Sequence, residues 1–239
     1  MCPTFDRSSQ RRADPLERPV VLIREGADFR FFLPLGYDRG VNDVTAFILA
    51  GGKSTRMGTD KAFLRWQEGT LLDHVWEMAH ALTPQVRIVG DRQRFASYGA
   101  AIIEDIYPGC GPLGGIHAAL STTVSPWNLM LAVDLPLLNG RLLSYLVARA
   151  RESDATVTVP SVAGGLQPLC AVYRREFAEV AKRSLEAGQN KIDLLFALVK
   201  TQTIEEEKLL QAGFSREMFR NVNTPEDLEE VRRCSASDA

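Results

Sequence analysis

Apolar positions along this chain fall into short unbroken runs separated by stretches of helical period. Val44–Ala50 (VTAFILA) is apolar or β-favouring throughout, without helical spacing, and reads as a buried strand of a parallel sheet. Ala62–Trp66 predicts a short strand, and Gln67-Glu68-Gly69 a turn. Leu71, Leu72, Val75, Trp76, Ala79 and Leu82 then line one helical face behind Thr70 as N-cap, and Pro84 stops the helix. Val86–Gly90 and Ala100–Glu104 predict two more strands, with a short helix opening at Asp91–Phe95. A helix follows at Ile116–Ser121, and Asn128–Val133 is a fully apolar strand. Asn139–Arg151 predicts a helix and Ala155–Pro160 a strand. Gln167–Tyr173 is a strand that contains Pro168 and so belongs at an edge or a bulge. Glu176–Ala187 is a helix closed by Gly188, Asn190–Val199 a short amphipathic helix, and Lys200–Glu206 a strand. Glu205–Glu207 reads as a solvated face. Thr224 caps a last helix whose first position is Pro225, with Glu226 and Asp227 at its positive end.

Strands separated by helix-length segments mean βαβ units with right-handed crossovers. The expected fold is a three-layer α/β/α, Rossmann-like, with a mostly parallel twisted sheet. Residues 43–233 form one domain in this reading, and 234–239 a frayed tail. Residues 1–42 read differently: the first forty carry seven Arg and six acidic residues without periodicity. They are expected to be a disordered extension, an edge appendage, or the result of a start codon placed too early, with translation beginning near Val41. Phe29–Leu33 is their one apolar cluster, a short strand or docking element, and Val20–Ile23 is too short for a signal-peptide core.

Composition narrows the function without naming it. Hydrophobic residues make up 45% and charged residues 24%, ordinary for a soluble globular protein. A formal charge of −2 argues against a general binder of nucleic acid or anionic membrane. No apolar run approaches the roughly 18 residues of a membrane helix. Cys2, Cys110, Cys170 and Cys234 are scattered without a C-x-x-C pair, which fits neither a disulfide framework nor a zinc site and points to a reduced cytoplasm. His74, His80 and His117 complete no ligand set with them; His74 and His117 read as packing or surface residues.

The first apolar strand ends in Gly51 and Gly52, and the residues after it are small, polar and basic: Lys53, Ser54, Thr55, Arg56, Gly58, Thr59 and Lys61. A glycine-rich loop at a strand's carboxyl end, with free N–H groups and cations, suits phosphate. It is not the nucleoside-triphosphatase P-loop, which needs an earlier glycine ahead of its Gly-Lys-Ser, nor the dinucleotide G-x-G-x-x-G, because Gly51 and Gly52 are adjacent. A plain connecting turn would not require Arg56 and Lys61 at these positions. A second glycine loop runs from Pro108 through Gly111-Pro112-Leu113-Gly114-Gly115 into a helix, where it exposes unpaired N–H groups, serves as a tight helix entry that needs small residues, or does both. Asp134, before Leu135-Pro136, ends the apolar Asn128–Val133 strand on the crevice side. Its burial needs a cation, for which magnesium is the natural candidate, or else it is a structural N-cap.

The string L-A-G-G-x-S-x-R-M-G-x-D-K resembles the signature of nucleotidyltransferases that activate small phosphorylated molecules, and is most similar to that of the molybdenum cofactor guanylyltransferases. The Gly111–Gly115 loop, Asp134-x-Pro136 and Asn221-x-Asn223-Thr224-Pro225-Glu226-Asp227 come in the family's order, so the resemblance covers roughly Val44–Glu230. It implies Mg2+-dependent transfer of GMP from GTP to molybdopterin carrying molybdenum, giving the guanine dinucleotide and pyrophosphate. It also implies residue roles. The backbone at Leu49, Ala50 and Gly51 would line the nucleotide, with Gly52 giving close approach. Arg56 and Lys61 would neutralise the triphosphate, Asp134 would hold the metal, and Asp105 would sit on the nucleotide side. Gly111, Asn221 and Asn223 would serve the acceptor. Family members often carry an asparagine after the second strand, where this chain has Gly90 and Asp91. That departure keeps a CTP-using molybdopterin cytidylyltransferase or a sugar-phosphate nucleotidyltransferase in play. An inactive nucleotide-binding regulator would have no need of Arg56, Lys61 and Asp134 together. Delivery of cofactor to molybdoenzymes or their maturation proteins is compatible as an added role.

Overall fold

The computed structural model describes residues 22–25, 28–31, 43–51 and 60–237. By its internal contacts the chain divides into Met1–Gly40 and Val41–Ala239. In the first unit, Leu22–Glu25 (β1) and Asp28–Phe31 (β2) pair antiparallel, so Phe29 to Phe31 are in a strand. The second unit begins with Val44–Leu49 (β3), followed by the short antiparallel pair Arg65–Trp66 (β4) and Gly69–Thr70 (β5). Leu71–Leu82 (α1), Val86–Val89 (β6), Ala101–Ile103 (β7), Pro112–Ser121 (α2), Trp127–Ala132 (β8) and Gly140–Arg151 (α3) come next. Val157–Val162 (β9), Gly165–Leu166 (β10), Cys170–Tyr173 (β11), Phe177–Glu186 (α4), Ile192–Leu195 (α5), Thr201–Glu205 (β12), Glu206–Gln211 (α6) and Pro225–Ser237 (α7) complete it. The last helix runs past the expected domain boundary at 233.

Eight strands form one sheet in the order β10-β9-β11-β8-β3-β6-β7, with β12 on β9. Strands β8, β3, β6 and β7 are mutually parallel, as are β9 and β12. Period-two alternation sends β3 and β8 side chains to both faces. Ala46, Ile48, Leu129 and Leu131 pack with Leu71, Leu72 and Val75 of α1 and with Leu142, Leu143 and Leu146 of α3. Phe47 and Met130 pack on the other face with Leu113, Ile116 and Leu120 of α2 and Phe177 and Ala181 of α4. Two apolar faces, each covered by helices, make the three layers. The α1 entry is a reciprocal cap: Thr70 Oγ1 accepts from the Asp73 amide at 3.1 Å, and Asp73 Oδ2 accepts from the Thr70 amide at 2.8 Å. No helix among the described residues is long and apolar enough to cross a membrane.

Several local expectations need correction. Ala62–Trp66 is not one strand: Lys61–Phe63 is a 3-10 turn, because Asp60 Oδ1 caps the Ala62 amide at 3.1 Å, and only Arg65–Trp66 is extended. No helix forms at Asp91–Phe95, where a turn capped by Asp91 leads to a 3-10 turn at Ala96–Tyr98. The strand expected over Gln167–Tyr173 starts only at Cys170 and lies inside the sheet, antiparallel to both β8 and β9. Pro168 is left in the preceding turn, where its missing N–H costs nothing and its carbonyl accepts from Tyr173 Oη at 2.8 Å. Of Glu205–Glu207, Glu206 is no mere solvated charge: it opens α6 and accepts the Ala163 amide at 2.8 Å.

Phe47 is fully buried at the centre of the sheet. Phe47→Ala should cost about 3–5 kcal/mol in a denaturant titration, whereas Val124→Ala, at an 88% exposed site, should change stability by about 0.5 kcal/mol or less.

Candidate active site

Because β3, β6, β7 and β8 run parallel, Leu49, Val89, Ile103 and Ala132 end at one edge of the sheet. The chain lays β6 and β7 on one side of β3 and β8 on the other, and the crevice outside such a reversal is where open α/β sheets bind ligands. The Ala50 amide donates to Val89 O at 3.0 Å, and Leu49 O accepts from the Val133 amide at 3.4 Å. Leu49 and Ala50 are thereby fixed between the neighbouring strand ends. Gly51 is exposed, and a Cβ there would meet nothing within 4 Å among the described residues. Among the described residues, no packing contact demands its glycine. Gly52 and Arg56 lie outside the described residues.

Asp105 stands just past β7. The residue is exposed, yet its carboxylate lies close against the start of α2, and this burial raises its pKa. A Cβ on Gly115 would stand 3.0 Å from Leu49 Cδ2, 3.4 Å from Val89 Cγ1 and 3.5 Å from Asp105 Oδ1. A Cβ on Gly114 would stand 2.9 Å from the Tyr107 carbonyl. Both glycines are thus packing requirements that let α2 reach the strand ends. Gly111 differs: it holds a left-handed φ of 66° as the N-cap residue of α2, with open space about it and no side-chain cap on the helix.

The decisive cluster joins three distant segments. Lys61 Nζ donates to Asn223 Oδ1 at 2.8 Å and lies 3.5 Å from Asp134 Oδ2. The Asp134 and Lys61 side chains are 24% and 21% exposed, so both are largely withdrawn from water. The Val222 amide donates to Asp134 O at 2.9 Å, and the Val222 side chain is fully buried, which holds the 221–223 strip against the end of β8. Asp227 Oδ2 then accepts the amides of Asn223 and Thr224 at 2.8 and 2.9 Å, and Thr224 Oγ1 accepts the Asp227 amide at 3.1 Å. The Thr-Pro-Glu-Asp run is therefore a helix cap that also fixes the Asn223 backbone. Asn221 is exposed on the same side as Asn223 but joins none of these contacts among the described residues. Burial raises the Asp134 pKa, opposed by the charge and hydrogen bond of Lys61.

One supporting residue was not legible in the sequence. His74 on α1 hydrogen-bonds the Pro136 carbonyl through its ring, buttressing the Asp134-Leu135-Pro136 turn, and burial holds its pKa below the ordinary value. His117, read as a packing residue, is buried with its ring edge-on to Tyr107 at 5.2 Å. No cluster of three or more His, Cys, Asp or Glu side chains that could cage a metal occurs among the described residues.

Residues 46–201 match the model of the MobA-like NTP transferase domain. The chain belongs to that family. It is 35% identical over 195 residues to a probable molybdenum cofactor guanylyltransferase of Halalkalibacterium halodurans, spanning 79% of this chain and 97% of that one. It is 32% identical over 191 residues to the corresponding protein of Carboxydothermus hydrogenoformans, spanning 80% and 96%. Among solved structures, molybdopterin-guanine dinucleotide biosynthesis protein A from Archaeoglobus fulgidus superposes with a TM-score of 0.71 at 25% identity, covering 81% of this chain and 99% of that one. A CMP:2-keto-3-deoxy-manno-octonic acid synthetase complexed with CTP shares the fold at 16% identity, with a TM-score of 0.61 over 82% and 100%. The resemblance drawn from the signature string thus holds, and the protein is a nucleotidyltransferase of the MobA-like family.

The family's asparagine has no counterpart at Gly90. A Cβ there would fall 2.7 Å from Phe95 Cε2, and Phe95 is fully buried. Asp91 uses Oδ1 to cap the Arg94 amide at 2.9 Å.

The raised Asp134 pKa fixes the sign of a pH effect. A carboxyl whose folded pKa lies above its unfolded value favours the fold most below the unfolded pKa and loses that advantage as pH rises through the folded one. Without ligand, Asp134→Asn should therefore melt higher than wild type at neutral pH, and the difference should shrink as pH falls through the raised folded pKa and be smallest once pH is below the ordinary carboxylate value; melting curves across pH check this.

Proposed function

We propose that this nucleotidyltransferase transfers GMP from GTP to the terminal phosphate of molybdopterin carrying molybdenum, forming molybdopterin guanine dinucleotide and pyrophosphate. The observation that carries the reading is Lys61 held between Asp134 and Asn223 at the strand ends, in a chain whose relatives bear guanylyltransferase names. An acceptor phosphate oxygen, already anionic at neutral pH, attacks the α-phosphorus of GTP. The bond to the bridging oxygen of the β-phosphate breaks, and pyrophosphate leaves with the electron pair. No strong base is needed. The obstacle is bringing two polyanions together in line, so positioning and charge neutralisation supply the rate.

Each residue takes a role within this proposal. The backbone of Leu49, Ala50 and Gly51, with Gly52, lines the nucleotide, and Asp105 faces its sugar or base side. Lys61 meets the triphosphate as a point charge, and Arg56 adds a planar fork suited to phosphate. Asn221 and Gly111 serve the acceptor. Asn223, bonded to Lys61, belongs where the acceptor's phosphate meets the lysine. A divalent cation is part of the reading, with magnesium the ion proposed and Asp134 the residue that would hold it. A single protein carboxylate fits, because magnesium commonly takes one or two carboxylates together with substrate phosphate oxygens. Once bound, the ion would act as a Lewis acid on those oxygens. Asp134 would orient it, and Lys61 would keep the carboxylate charged against the burial that opposes its ionisation. We take 43–233 as the catalytic unit, with 1–42 outside it. We place the reaction in the cytoplasm, in keeping with Cys170, a buried free thiol. Hand-over of product to molybdoenzymes or their maturation proteins would come after release.

Lys61→Ala should lower pyrophosphate release from GTP and molybdopterin by about 10²–10³-fold, the scale of losing one charge-stabilising donor, while its melting temperature stays close to wild type. GTP with magnesium, and not CTP, ATP or UTP, should raise the melting temperature of wild type, and Asp134→Ala should abolish the shift. A CTP-selective shift would point to cytidylyl transfer and to the Gly90–Phe95 substitution as its cause.

A further inference from the structure

The signature string places an aspartate, Asp60, directly before Lys61, and the proposed transfer gives it nothing to do. Among the described residues Asp60 has two partners. Its Oδ1 accepts the Ala62 amide at 3.1 Å, starting the turn that carries Lys61. Both of its oxygens also face the guanidinium of Arg94, Nε to Oδ2 and Nη2 to Oδ1, a two-point pairing with the side chains 24% and 27% exposed.

Arg94 is itself firmly seated at the end of β6. Its amide is capped by Asp91 Oδ1, and its guanidinium lies 4.9 Å from the ring centre of Phe95. The Phe95 ring is fully buried, packs on the backbone of Gly90, where a side chain would collide, and stands 5.7 Å from Phe63 on the turn after Lys61. The same arrangement that removes the family's asparagine therefore builds a post, and Asp60 is tied to it.

We propose that Arg94 is a positioning residue: by clamping Asp60 it fixes the backbone from which Lys61 reaches Asp134 and Asn223. Adjacent Cα atoms are about 3.8 Å apart, so any swing of Asp60 carries Lys61 with it. Among the described residues the lysine makes one close hydrogen bond, at 2.8 Å to Asn223, besides its longer 3.5 Å contact with Asp134, and its long stem cannot set its position without a fixed root. The Nε–Nη2 edge of Arg94 is taken up by Asp60, so that bidentate edge is not offered to phosphate. The inference rests on the proposed transfer reaction for its catalytic consequence, though not for the clamp itself.

The test uses full-length Arg94→Ala, Asp60→Asn, the double variant and Arg94→Lys. Steady-state kcat and KM for GTP are read by pyrophosphate release with molybdopterin and magnesium. Hydrogen exchange of the Ala62 and Phe63 amides is read without ligand. Each of the first two variants should lower kcat by about tenfold or more, with KM little changed, since a misplacement of about 1 Å at a reacting group can cost that much or more. The double variant should be no worse than the poorer single one, Arg94→Lys should regain part of the loss, and exchange at Ala62 should quicken in Arg94→Ala. Independent, multiplying losses in the double variant overturn the clamp. So does a KM effect in Arg94→Ala with Asp60→Asn normal, which would make Arg94 a phosphate ligand. Faster exchange with unchanged kcat overturns its catalytic role. Asp60→Asn and Arg94→Lys preserve side-chain size and keep the test open if Arg94→Ala fails to fold. If the wild type releases no pyrophosphate, the transfer reading fails, and the exchange experiment then judges the clamp alone.

Discussion

An ammonium group held between a carboxylate and an amide ties this site together. Lys61, Asp134 and Asn223 come from the loop after β3, the end of β8 and the strip before α7, with Lys61 and Asn223 separated by 162 positions. The contact requires all three segments to arrive at one edge, so it depends on the whole sheet being formed. It also settles a conflict at Asp134. Burial disfavours the charged carboxylate, and the lysine beside it restores part of what burial removes. A pair balanced in that way is a poor source of stability, and in the proposed reaction the approach of phosphate oxygens and a cation would replace contacts that are only partly made.

The scaffold makes this possible through symmetry of burial. Since β3 and β8 are apolar on both faces, helices cover each side and the strands lie parallel, which sends their carboxyl ends to one edge. Glycines then adjust the approach of the elements. Gly114 and Gly115 let α2 close on the strand ends, Gly90 admits Phe95, and Gly51 leaves open space. Gly51 meets no described side chain or backbone there, and it sits where the proposed nucleotide would lie.

Much of this was legible along the chain because local chemistry decided it. The β3 and β8 runs, the Thr70 entry to α1 and the Thr224-Pro225 entry to α7 are each specified within a few residues, and the structure keeps them. Errors came where a neighbour far away in sequence, or one side chain, outvoted the pattern. Ala62–Trp66 looks like a strand until Asp60 caps its start as a 3-10 turn. Pro168 suggested an edge, yet the ladder begins after it, at Cys170, inside the sheet. Asp134, Asp105 and Lys61 could be chosen from their places at strand ends and in the signature. The Asn223–Lys61 bond, the Arg94–Asp60 pairing and the His74–Pro136 contact could not, since nothing in linear spacing links those positions. For Asn223 the fold adds a partner, Lys61, to the acceptor role that the motif implied.

The most direct test of the account tracks the phosphorus atoms. GTP labelled at the α-phosphate, incubated with the protein, magnesium and molybdopterin, should pass its label into the pterin dinucleotide and none into pyrophosphate. Label at the γ-phosphate should appear in pyrophosphate alone, and CTP labelled at the α-phosphate should remain unused. Transfer from CTP in place of GTP, or α-label that never reaches the pterin, would contradict the account.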